Sequence, residues 1–600
     1  MVYITKTICK TENLIDIAPL GKASQSSLSR WSKPNDAQRA VMDIGNANFA
    51  FHTNKEQNPW WELTLDEPRL VEYIILHNRK DMCKEKSRKL LVELFDGKEY
   101  IKIYQGDLLF DAEPNGLPLV LPYKYFKKIE RIKIISQINE YFHLSKVNVL
   151  IKYHQSTFIA MRTDGFGERL KAILNAMVLT EKFNGKFLFH WHEKFDNGHH
   201  EIVEINKIFS EDFTSKYYID ITKLNKMKLV DLIDIVKLSG WMASEHIKEH
   251  DAIIVQQNIS SQLSKEARKD IDFASGYKEA FKKIEFSEQL EYAKTYANSI
   301  QLGEHPVAIH LRAGDIIYGV YRIMGDYTRK VISFPIAERL IRDLQQQGYS
   351  PVLFGQDKKL LGYFKDNFGV TLSYELLNQS FSVVQQAFFD IVLMSRCKQI
   401  FAGTSGFATV ASWISGCQLI DPFKKFTKEE SIEIINLAFK SRKFDNRISS
   451  LQKAFACWSY FYIYGEKCAS NKKLWRFLNL AIKYDPENDF YHFVAACSFY
   501  DDKKAEDAEK ILYERFLIAD KQIYSIIKVL SRPGYLGKTL TVSLYLDKIK
   551  LYAKSNCSMA ALCIAISEKA LGNDDSYVYF KELYLKNRSK KYSTFDKYII

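Results

Sequence analysis

Residues between about 20 and 150 form short runs in which apolar and polar side chains alternate, as in WWELTL at 60–65. Since successive side chains of a strand point to opposite faces, this alternation predicts strands that bury one face. Glycine, proline, asparagine and aspartate separate the runs, which is typical of an antiparallel β-sandwich. At Trp60 and Trp61 the same alternation predicts one indole in the core and the other outside it.

The hydrophobic period changes after about residue 155. GFGERLKAILNAMVLTEKF at 165–183 carries apolar residues at helical spacing, and a strand-like run at 186–190 follows it. Apolar strands and amphipathic helices then alternate to about residue 425, which predicts parallel α/β units. Beyond about residue 445 the strands stop and amphipathic helical stretches continue.

These changes of period predict a multidomain α+β chain. Residues 1–152 are predicted to form the β-sandwich, residues 153–445 a Rossmann-type α/β core with lobes at about 153–300 and 301–445, and residues 446–600 an α-helical domain. The fragment NLAIKYDPEN at 479–488 is similar to the end of one tetratricopeptide repeat. No second copy follows at the repeat period, so a repeat array is only an alternative for the helical domain.

Composition places the chain among globular proteins and gives it a basic charge. Its 600 residues are 46% hydrophobic and 26% charged, which excludes a wholly disordered chain. The formal net charge of +13 favours anionic partners such as nucleotide phosphates, acidic polysaccharides or lipid headgroups. Since no clustered basic helix or recognition motif for nucleic acids occurs, a nucleic-acid partner is not expected.

The N-terminus and the cysteines bear on the compartment. No apolar segment follows a basic start at the N-terminus, and no apolar run reaches the roughly 18 residues that span a bilayer. The nine cysteines are scattered and form no CxxC pair, so neither a disulfide framework nor a zinc site is indicated. We therefore expect a reduced, cytoplasmic protein, with a peripheral membrane contact left open.

The segment HLRAGD at 310–315 follows the apolar run PVAI. Strand alternation puts His310 and Arg312 on one face at the carboxyl end of the strand, where α/β sheets bind ligands. A guanidinium is a bidentate donor that keeps its charge, so Arg312 suits a diphosphate. Asp315 can orient Arg312, and His310 is one candidate general base, with Asp315 and Glu168 behind it.

Three further turns carry residue types that hold phosphate or nucleotide groups. GFGER opens a helix, so its glycines allow close backbone approach and the helix N-terminus offers amides to an anion. GTSGF at 403–407 and FGQD at 354–357 each follow a strand-like run. Such turns converge on one crevice in a doubly wound sheet, so six donor-binding residues are predicted: Gly165, Gly167, Arg169, Asp357, Thr404 and Ser405.

The run at 318–330 has two interpretations. It supplies an aromatic residue and three cations that either contact the acceptor or cover the phosphates as a lid: Tyr318, Arg322, Arg329 and Lys330. A solvated basic loop is the alternative.

A histidine-rich segment, HWHEKFDNGHHE at 190–201, also has competing interpretations. His190 and His192 lie on one strand face and two more histidines follow, a pattern that can bind zinc. The segment follows the first strand of the α/β core, where a polar acceptor loop is expected. Acceptor contact by His192 or plain exposure is therefore favoured, and no metal is expected.

In order and spacing, GFGER, HLRAGD, FGQD and FAGTSGF resemble the motifs of the fucosyltransferase superfamily over roughly residues 160–425. The resemblance implies a GT-B-like fold, donor-phosphate contact at Arg312, and no cofactor besides the nucleotide-activated donor. Ala313 stands where the family often has a second basic residue, and Glu168 where it often has Asn. The layout also resembles sugar transferases of bacterial capsule loci, some relatives of which move O-methyl phosphoramidate from a cytidylyl donor.

The N-terminal residues carry a second resemblance. A histidine beside cations and aromatic rings suits sugar hydroxyls, although core packing would also explain the tryptophans. AxQSS, FHTNKEQNPWWELTL, IILHNRKD and YFHLSKVNVL together resemble discoidin-like domains, and within them the fucose-binding F-type lectins. This resemblance implies sugar contacts at His52 and Arg79, with a further basic contact at Lys86 or Arg88. The family's paired cysteines and the Arg-Leu after them are replaced here by MCKEKSRKL.

Together these patterns predict an enzyme that moves a nucleotide-activated group, in glycosyltransferase fashion, onto a capsular or surface polysaccharide and carries a carbohydrate-binding module. Its expected partners are the nucleotide donor and a polysaccharide or lipid-linked glycan acceptor, with a peripheral contact to the inner membrane or the capsule assembly left open. One alternative transfers O-methyl phosphoramidate from a cytidylyl donor to a capsule sugar hydroxyl. Another is a non-catalytic glycan-binding scaffold, which Ala313 and Glu168 keep open.

Overall fold

The computed structural model describes residues 14–599, except 112–115, 124–126, 153–155, 193–203, 240–246, 248–249, 260–272, 324, 441–442, 466–470 and 531–548. The chain divides into two compact units. Unit 1 comprises Met1–Phe158, Thr180–Lys186 and Lys226–Ile254, and unit 2 comprises Ile159–Leu179, Phe187–Asn225 and Val255–Ile600. The predicted division into three domains stays a prediction.

Unit 1 contains two antiparallel β-sheets. The first has the strand order Leu14–Asp16, Lys146–Lys152, Tyr73–His77, Leu119–Pro122. The second has the order Lys22–Gln25, Trp60–Arg69, Ile129–Ser136, Lys89–Phe95, Tyr100–Asp107. Two short antiparallel pairs join Glu56–Gln57 to Asn139–Glu140 and Phe51–His52 to His143–Leu144. Inward-facing residues of both sheets share one buried core, so the predicted antiparallel β-sandwich is confirmed.

The adjacent tryptophans show how the strand alternation builds this core. Trp61 is fully buried, its Nε1 donates to Ala37 O at 2.9 Å, and its ring stacks on Phe51. Trp60 points to the other face, where Lys133 Nζ lies 4.7 Å from its ring centroid. The prediction of one inward and one outward indole is confirmed.

Unit 2 is built around a parallel five-stranded sheet. Its strand order is Thr371–Leu372, Ser350–Gly355, Pro306–Leu311, Gln399–Ala402, Gln418–Ile420, and every pairing is parallel. The connecting segments contain the helices Phe334–Gln346, Lys358–Phe368, Val383–Ser395 and Gly406–Ser415, and Lys428–Ala438 follows the last strand. If the strands are numbered in chain order, their order across the sheet is 3-2-1-4-5, which is a doubly wound arrangement. The predicted parallel α/β units of residues 301–425 are confirmed.

A second group of α/β elements precedes this sheet and is divided between the two units. It contains the strands Thr157–Arg162, Lys186–Trp191, Leu229–Asp231 and Ala252–Val255, with the helix Phe166–Phe183 after the first of them. Leu229–Asp231 pairs in parallel with Ala252–Val255. The short helices Glu211–Tyr217, Ile221–Leu224 and Leu232–Ser239 and the longer Phe273–Lys282 and Glu288–Ser299 complete the region. A GT-B-like pair of lobes stays a prediction.

Helices alone make up the described residues beyond 445, as predicted. They are Ser450–Ser459, the π-helical Tyr460–Gly465, Asn471–Tyr484, Asp489–Asp501, Ala505–Leu530, Ser558–Leu571, Asp574–Asn587 and the 3-10 segment Lys590–Tyr598. Buried residues of these helices form one continuous core with the parallel sheet, from Val307 to Ile599. The helical part of unit 2 is therefore packed with the α/β part around the same apolar interior.

Within the described residues, no helix has both the length and the apolar character needed to cross a bilayer. Seven cysteines are described and all are free thiols: Cys83, Cys397, Cys417, Cys457, Cys497, Cys557 and Cys563.

Candidate functional site

Arg312 and Asp315 lie just after the carboxyl end of strand Pro306–Leu311 in unit 2. Arg312 Nε donates to Asp315 Oδ1 at 3.2 Å, and its Nη2 donates to Oδ2 at 2.7 Å. The carboxylate therefore orients the guanidinium through two hydrogen bonds. A π-helical turn, Gly314–Tyr318, begins here, and such turns are frequent at functional sites.

His310 is the second-last residue of the same strand. Its Nδ1 is buried and has no hydrogen-bond partner among the described residues. Burial, followed by the positive charge of Arg312, lowers the pKa of His310 to about 4. The imidazole is therefore neutral at pH 7, and an anion bound beside Arg312 would raise its pKa towards the range of a general base.

The crevice at the carboxyl ends of strands Pro306–Leu311 and Gln399–Ala402 is the topological switch point of the sheet, because the chain winds away from it in opposite directions. Gly403 follows the second of these strands. A Cβ on Gly403 would lie 2.5 Å from Arg329 O and 2.7 Å from Lys330 C. The backbone of residues 329–330 thus lies against this turn, and only glycine allows the approach.

Lys330 places a second cation at the switch point. Its Nζ lies 4.6 Å from the Tyr327 ring centroid and has no hydrogen bond or ion pair with any described residue. Burial lowers the pKa of Lys330, and the positive charge of Arg312 lowers it further. Three carboxylates oppose this shift: Asp164, Glu168 and Asp315. Charges from three separate segments therefore meet at one half-buried ammonium.

Each of these carboxylates already has a cationic partner. Arg162 holds Asp164 by hydrogen bonds of 2.9 and 2.6 Å. Lys171 Nζ lies 2.9 Å from Glu168 Oε2. Arg312 Nη2 lies 2.7 Å from Asp315 Oδ2. Tyr321 lies within electrostatic range of Asp164, Arg312 and Asp315, and burial raises the pKa of its hydroxyl. We call Asp164, Glu168, Arg312, Asp315, Tyr321 and Lys330 the switch-point site.

Two helix N-termini meet beside this site. A Cβ on Gly167 would lie 2.9 Å from Gly406 C and from Phe407 N, so the first turns of helices Phe166–Phe183 and Gly406–Ser415 are in backbone contact. Glu168 lies in the same contact, because a Cβ on Gly406 would lie 2.6 Å from its Oε1. The first amides of a helix carry partial positive charge, so both turns favour an anion here.

Arg169 does not have the exposed position expected of a donor-binding cation. Its guanidinium is buried and donates to three backbone carbonyls: Asp164 O at 2.7 Å, His192 O at 2.7 Å and Thr163 O at 3.1 Å. It also lies 4.7 Å from the Trp191 ring centroid. Arg169 thus holds the loop that carries Asp164 and has few donors left for a ligand, so its predicted donor contact stays a prediction.

Asp357 is likewise occupied by its own surroundings. Its Oδ1 accepts from Leu360 N at 3.1 Å as the N-cap of helix Lys358–Phe368. Its Oδ2 accepts from Gln452 Nε2 at 2.9 Å and from the Tyr318 hydroxyl. The predicted nucleotide contact at Asp357 and the predicted acceptor contact at Tyr318 would both have to compete with these bonds.

The remaining predicted site residues differ in exposure and in the groups that they contact. Ser405 is buried and its Oγ accepts from Ala408 N at 3.4 Å, so it caps helix Gly406–Ser415, whereas Thr404 beside it is exposed. His192 holds Arg169 through its backbone carbonyl. Arg329 is exposed, and Gly165 O accepts from Glu168 N at 3.0 Å in the turn that starts the helix.

The zinc alternative rested partly on His199 and His200, which lie outside the described residues. Among the described residues, no group of three or more His, Cys, Asp or Glu side chains could hold a metal ion.

The sequence interpretation missed Arg162, Asp164, Lys171 and Tyr321. A signal for the first two exists, because Arg162 ends strand Thr157–Arg162 and Asp164 follows it, which places an Arg and an Asp at a strand end as Arg312 and Asp315 are placed. Lys171 lies one helical turn after Glu168, a spacing that allows an ion pair.

In unit 1, His52 lies among four aromatic rings. Their centroids lie 5.0, 5.3, 5.2 and 5.2 Å from that of His52 and belong to Trp31, Phe49, Tyr141 and His143. The strand pair Phe51–His52 with His143–Leu144 places the two histidines opposite each other. Trp31 remains 47% exposed, so the cluster has an open aromatic face that suits the apolar face of a sugar ring.

Two cations border this cluster. The Arg79 guanidinium lies 5.2 Å from the Phe49 ring centroid and is held by Asp81 at 2.9 Å. Lys86 Nζ lies 5.0 Å from the Tyr141 ring centroid and 3.5 Å from Glu140. We call Trp31, Phe49, His52, Arg79, Lys86, Tyr141 and His143 the His52 site.

Arg88 lies apart from these contacts and pairs with Asp107. Of the two basic residues left open by the sequence, Lys86 is thus the one that contacts the aromatic cluster.

Both histidines of this site are neutral at pH 7. Burial lowers the pKa of His143 to about 3, and the charges of Arg79 and His52 lower it further. Burial also lowers the pKa of His52, and its Nδ1 lies 3.0 Å from Thr53 O, to which it donates. The Nε2 of His52 is then an acceptor for a ligand hydroxyl.

Similarity to solved structures concerns the N-terminal region. The lectin domain of lectinolysin, complexed with the Lewis B antigen, is 23% identical, with a TM-score of 0.20 over 23% of this chain and 96% of that chain. A fucose-binding module from Streptococcus pneumoniae is 23% identical, with a TM-score of 0.19 over 22% of this chain and 94% of that chain. A family 32 carbohydrate-binding module of Clostridium perfringens NanJ, complexed with galactose, is 18% identical, with a TM-score of 0.20 over 23% and 99%. No protein-family model and no curated protein matches the chain.

Proposed function

We propose that unit 2 is a transferase that binds a nucleotide-activated donor with its diphosphate at the switch-point site. The observation that carries this proposal is Lys330, a half-buried ammonium beside the oriented Arg312 that has no hydrogen bond or ion pair with a described residue. Desolvating a cation without a partner costs free energy, and a bound anion offsets that cost. The position at a topological switch point, next to two helix N-termini, supports the same class of ligand.

The chemistry assigned to the site is stabilisation of a leaving diphosphate. Arg312 donates two hydrogen bonds in one plane, and Lys330 adds a second charge that needs no metal ion. Ala313, where the resembled family often has a second basic residue, is apolar and packs with Ile316 and Phe455. Lys330 would supply the second cation in its place. His310 is the proposed general base, since it is neutral and lies two residues before Arg312.

The proposed acceptor is a hydroxyl of a capsular or surface polysaccharide, and the proposed transferred group is a sugar. O-methyl phosphoramidate from a cytidylyl donor is the alternative group. The nucleotide base that the site prefers distinguishes the sugar donor from the phosphoramidate donor. A panel of CDP, UDP and GDP, added to the full chain in thermal unfolding, tests the proposal. We expect one nucleotide to raise the melting temperature by several degrees at saturating concentration. No shift with any of the three would favour the non-catalytic scaffold.

For unit 1 we propose a second function, binding of a carbohydrate at the His52 site. The partly exposed Trp31 beside a neutral imidazole and two cations supports it, because aromatic faces stack on sugar rings and the polar groups contact hydroxyls. The module would hold the polysaccharide acceptor close to the enzyme and raise its effective concentration.

Replacing His52 with alanine is expected to weaken carbohydrate binding about tenfold or more, because the ligand loses a hydrogen-bond acceptor in a desolvated site. A glycan microarray identifies the ligand, and calorimetry with that ligand measures the change for the full chain. Arg88→Ala is the matched control, since it removes a neighbouring cation that pairs with Asp107 outside the cluster. Retained binding in His52→Ala, or equal loss in both variants, would contradict the assignment.

A further inference from the structure

The segment from Gly314 to Lys330 carries two members of the switch-point site, Tyr321 and Lys330. It contains a π-helical turn and two short 3-10 turns rather than a long helix or a strand. Such turns have few internal hydrogen bonds, so contacts with other elements must hold the segment in place. Some of these contacts come from Asp357, Gly403 and Thr404 at the ends of neighbouring strands, and others from helices far along the chain.

Helix Ser450–Ser459 provides the first contacts. Trp458 Nε1 donates to Thr328 Oγ1 at 3.0 Å, and both side chains are buried. Phe455 packs in an apolar cluster with Ala313, Ile316 and Val331. The helix thus contacts residues at both ends of the segment.

The second group of contacts centres on Asp485, at the end of helix Asn471–Tyr484. Its carboxylate is only 3% exposed and lies 3.4 Å from Arg322 Nη1 in the middle of the segment. Asn488 Nδ2 donates to Asp485 Oδ2 at 3.0 Å and to Arg322 O at 3.3 Å. Asp485 therefore contacts the side chain of Arg322 directly and its backbone through Asn488.

The interface between the segment and the helices leaves little empty space. A cavity of about 10 Å³ lies there, bordered by Arg322, Thr328, Trp458 and Asp485 among others. That volume is about the size needed for one water molecule. Arg322 thus pairs with Asp485, and its role in a lid over the phosphates stays a prediction.

We propose that Asp485 is a positioning residue of the donor site, which acts through Arg322 to hold the segment that presents Tyr321 and Lys330. The inference rests on the proposed function of the switch-point site. The proposal gives the helices beyond residue 445 a part in donor binding. The ammonium of Lys330 lies beside Arg312 only while residues 314–330 keep their present conformation. Asp485 itself does not contact the donor.

The test compares Asp485→Asn with wild type in the full chain by two measurements. Hydrogen exchange without ligand reports the order of residues 318–330, and calorimetry reports the affinity for the nucleotide that stabilises wild type. We expect amide exchange in this segment to become at least about tenfold faster and the Kd to rise about tenfold. The melting temperature should change by only a few degrees. Asp366→Asn is the control, since Asp366 is an exposed carboxylate that pairs with Arg447 elsewhere.

Two further comparisons distinguish loss of the contact between Asp485 and Arg322 from misfolding of the variant and from failure of the proposed function. Arg322→Lys, which keeps the charge facing Asp485, should restore most of the protection and affinity that Arg322→Gln loses; this pair decides the matter if Asp485→Asn does not fold. Unchanged exchange and affinity in Asp485→Asn, or equal effects in Asp366→Asn, would overturn the positioning role. If wild type binds no nucleotide, the proposed function fails, and exchange in residues 318–330 alone then decides whether Asp485 holds the segment.

Discussion

Replacing Arg312 with alanine is expected to raise the Kd for the preferred nucleoside diphosphate by roughly 30- to 150-fold. The variant loses two charge-assisted hydrogen bonds to the diphosphate, which corresponds to about 2–3 kcal/mol of binding free energy. It also leaves Asp315 without the cation that it now holds at 2.7 Å, so a carboxylate would face the incoming anion. Calorimetry on the folded full chain measures the change.

Two variants separate this effect from a general loss of positive charge. Arg312→Lys keeps the charge but not the planar pair of donors, so it should recover only part of the affinity. Arg342→Ala removes an exposed arginine that pairs with Glu338 at 2.9 Å on helix Phe334–Gln346, and it should bind like wild type. An Arg312→Ala protein with wild-type affinity would show that the diphosphate binds elsewhere.

Replacing Trp61 with alanine is expected to destabilise unit 1 by about 3–5 kcal/mol, because the large cavity cannot be filled by its neighbours. The indole is fully buried, and its Nε1 hydrogen bond to Ala37 O is lost with it. The chain has more than one compact unit, so a melting curve of the full chain does not say which unit is destabilised. Hydrogen exchange in strand Ile129–Ser136, which pairs with the strand of Trp61, localises the loss to unit 1.

Trp60→Ala is the matched control one residue away. Its indole lies on the other face, is partly exposed and has Lys133 Nζ over its ring, so the expected loss is about 1 kcal/mol or less. Equal destabilisation by the two substitutions would mean that strand alternation does not set the core of unit 1.

Local patterns in the sequence predicted much of this fold. The alternation around Trp60 and Trp61, and the helical period of residues 165–183, depend on neighbours in sequence. Arg312 and Asp315 were also predictable, because their pairing needs only a strand end and a turn of three residues.

Other features depend on contacts that no local pattern contains. Arg169 looked like a donor-binding cation, but the carbonyl of His192 from a distant strand end takes up its guanidinium. The sequence predicted Lys330 as a basic lid residue, but the approach of its backbone to Gly403 depends on a strand end more than 70 residues away. In unit 1, Trp31 and Tyr141 join His52 only because separate segments of the chain meet there.

The most direct test of the central claim is to map where a nucleotide protects the full chain. Wild type is treated with a lysine-acetylating reagent, with and without the nucleotide that stabilises it, and mass spectrometry reports the modification of each lysine. Bound diphosphate should slow acetylation of Lys330 about tenfold or more, since it would occupy the space beside the ammonium, while the exposed Lys428 should not change. Stabilisation by a nucleotide that leaves Lys330 as reactive as before would contradict a diphosphate at the switch-point site.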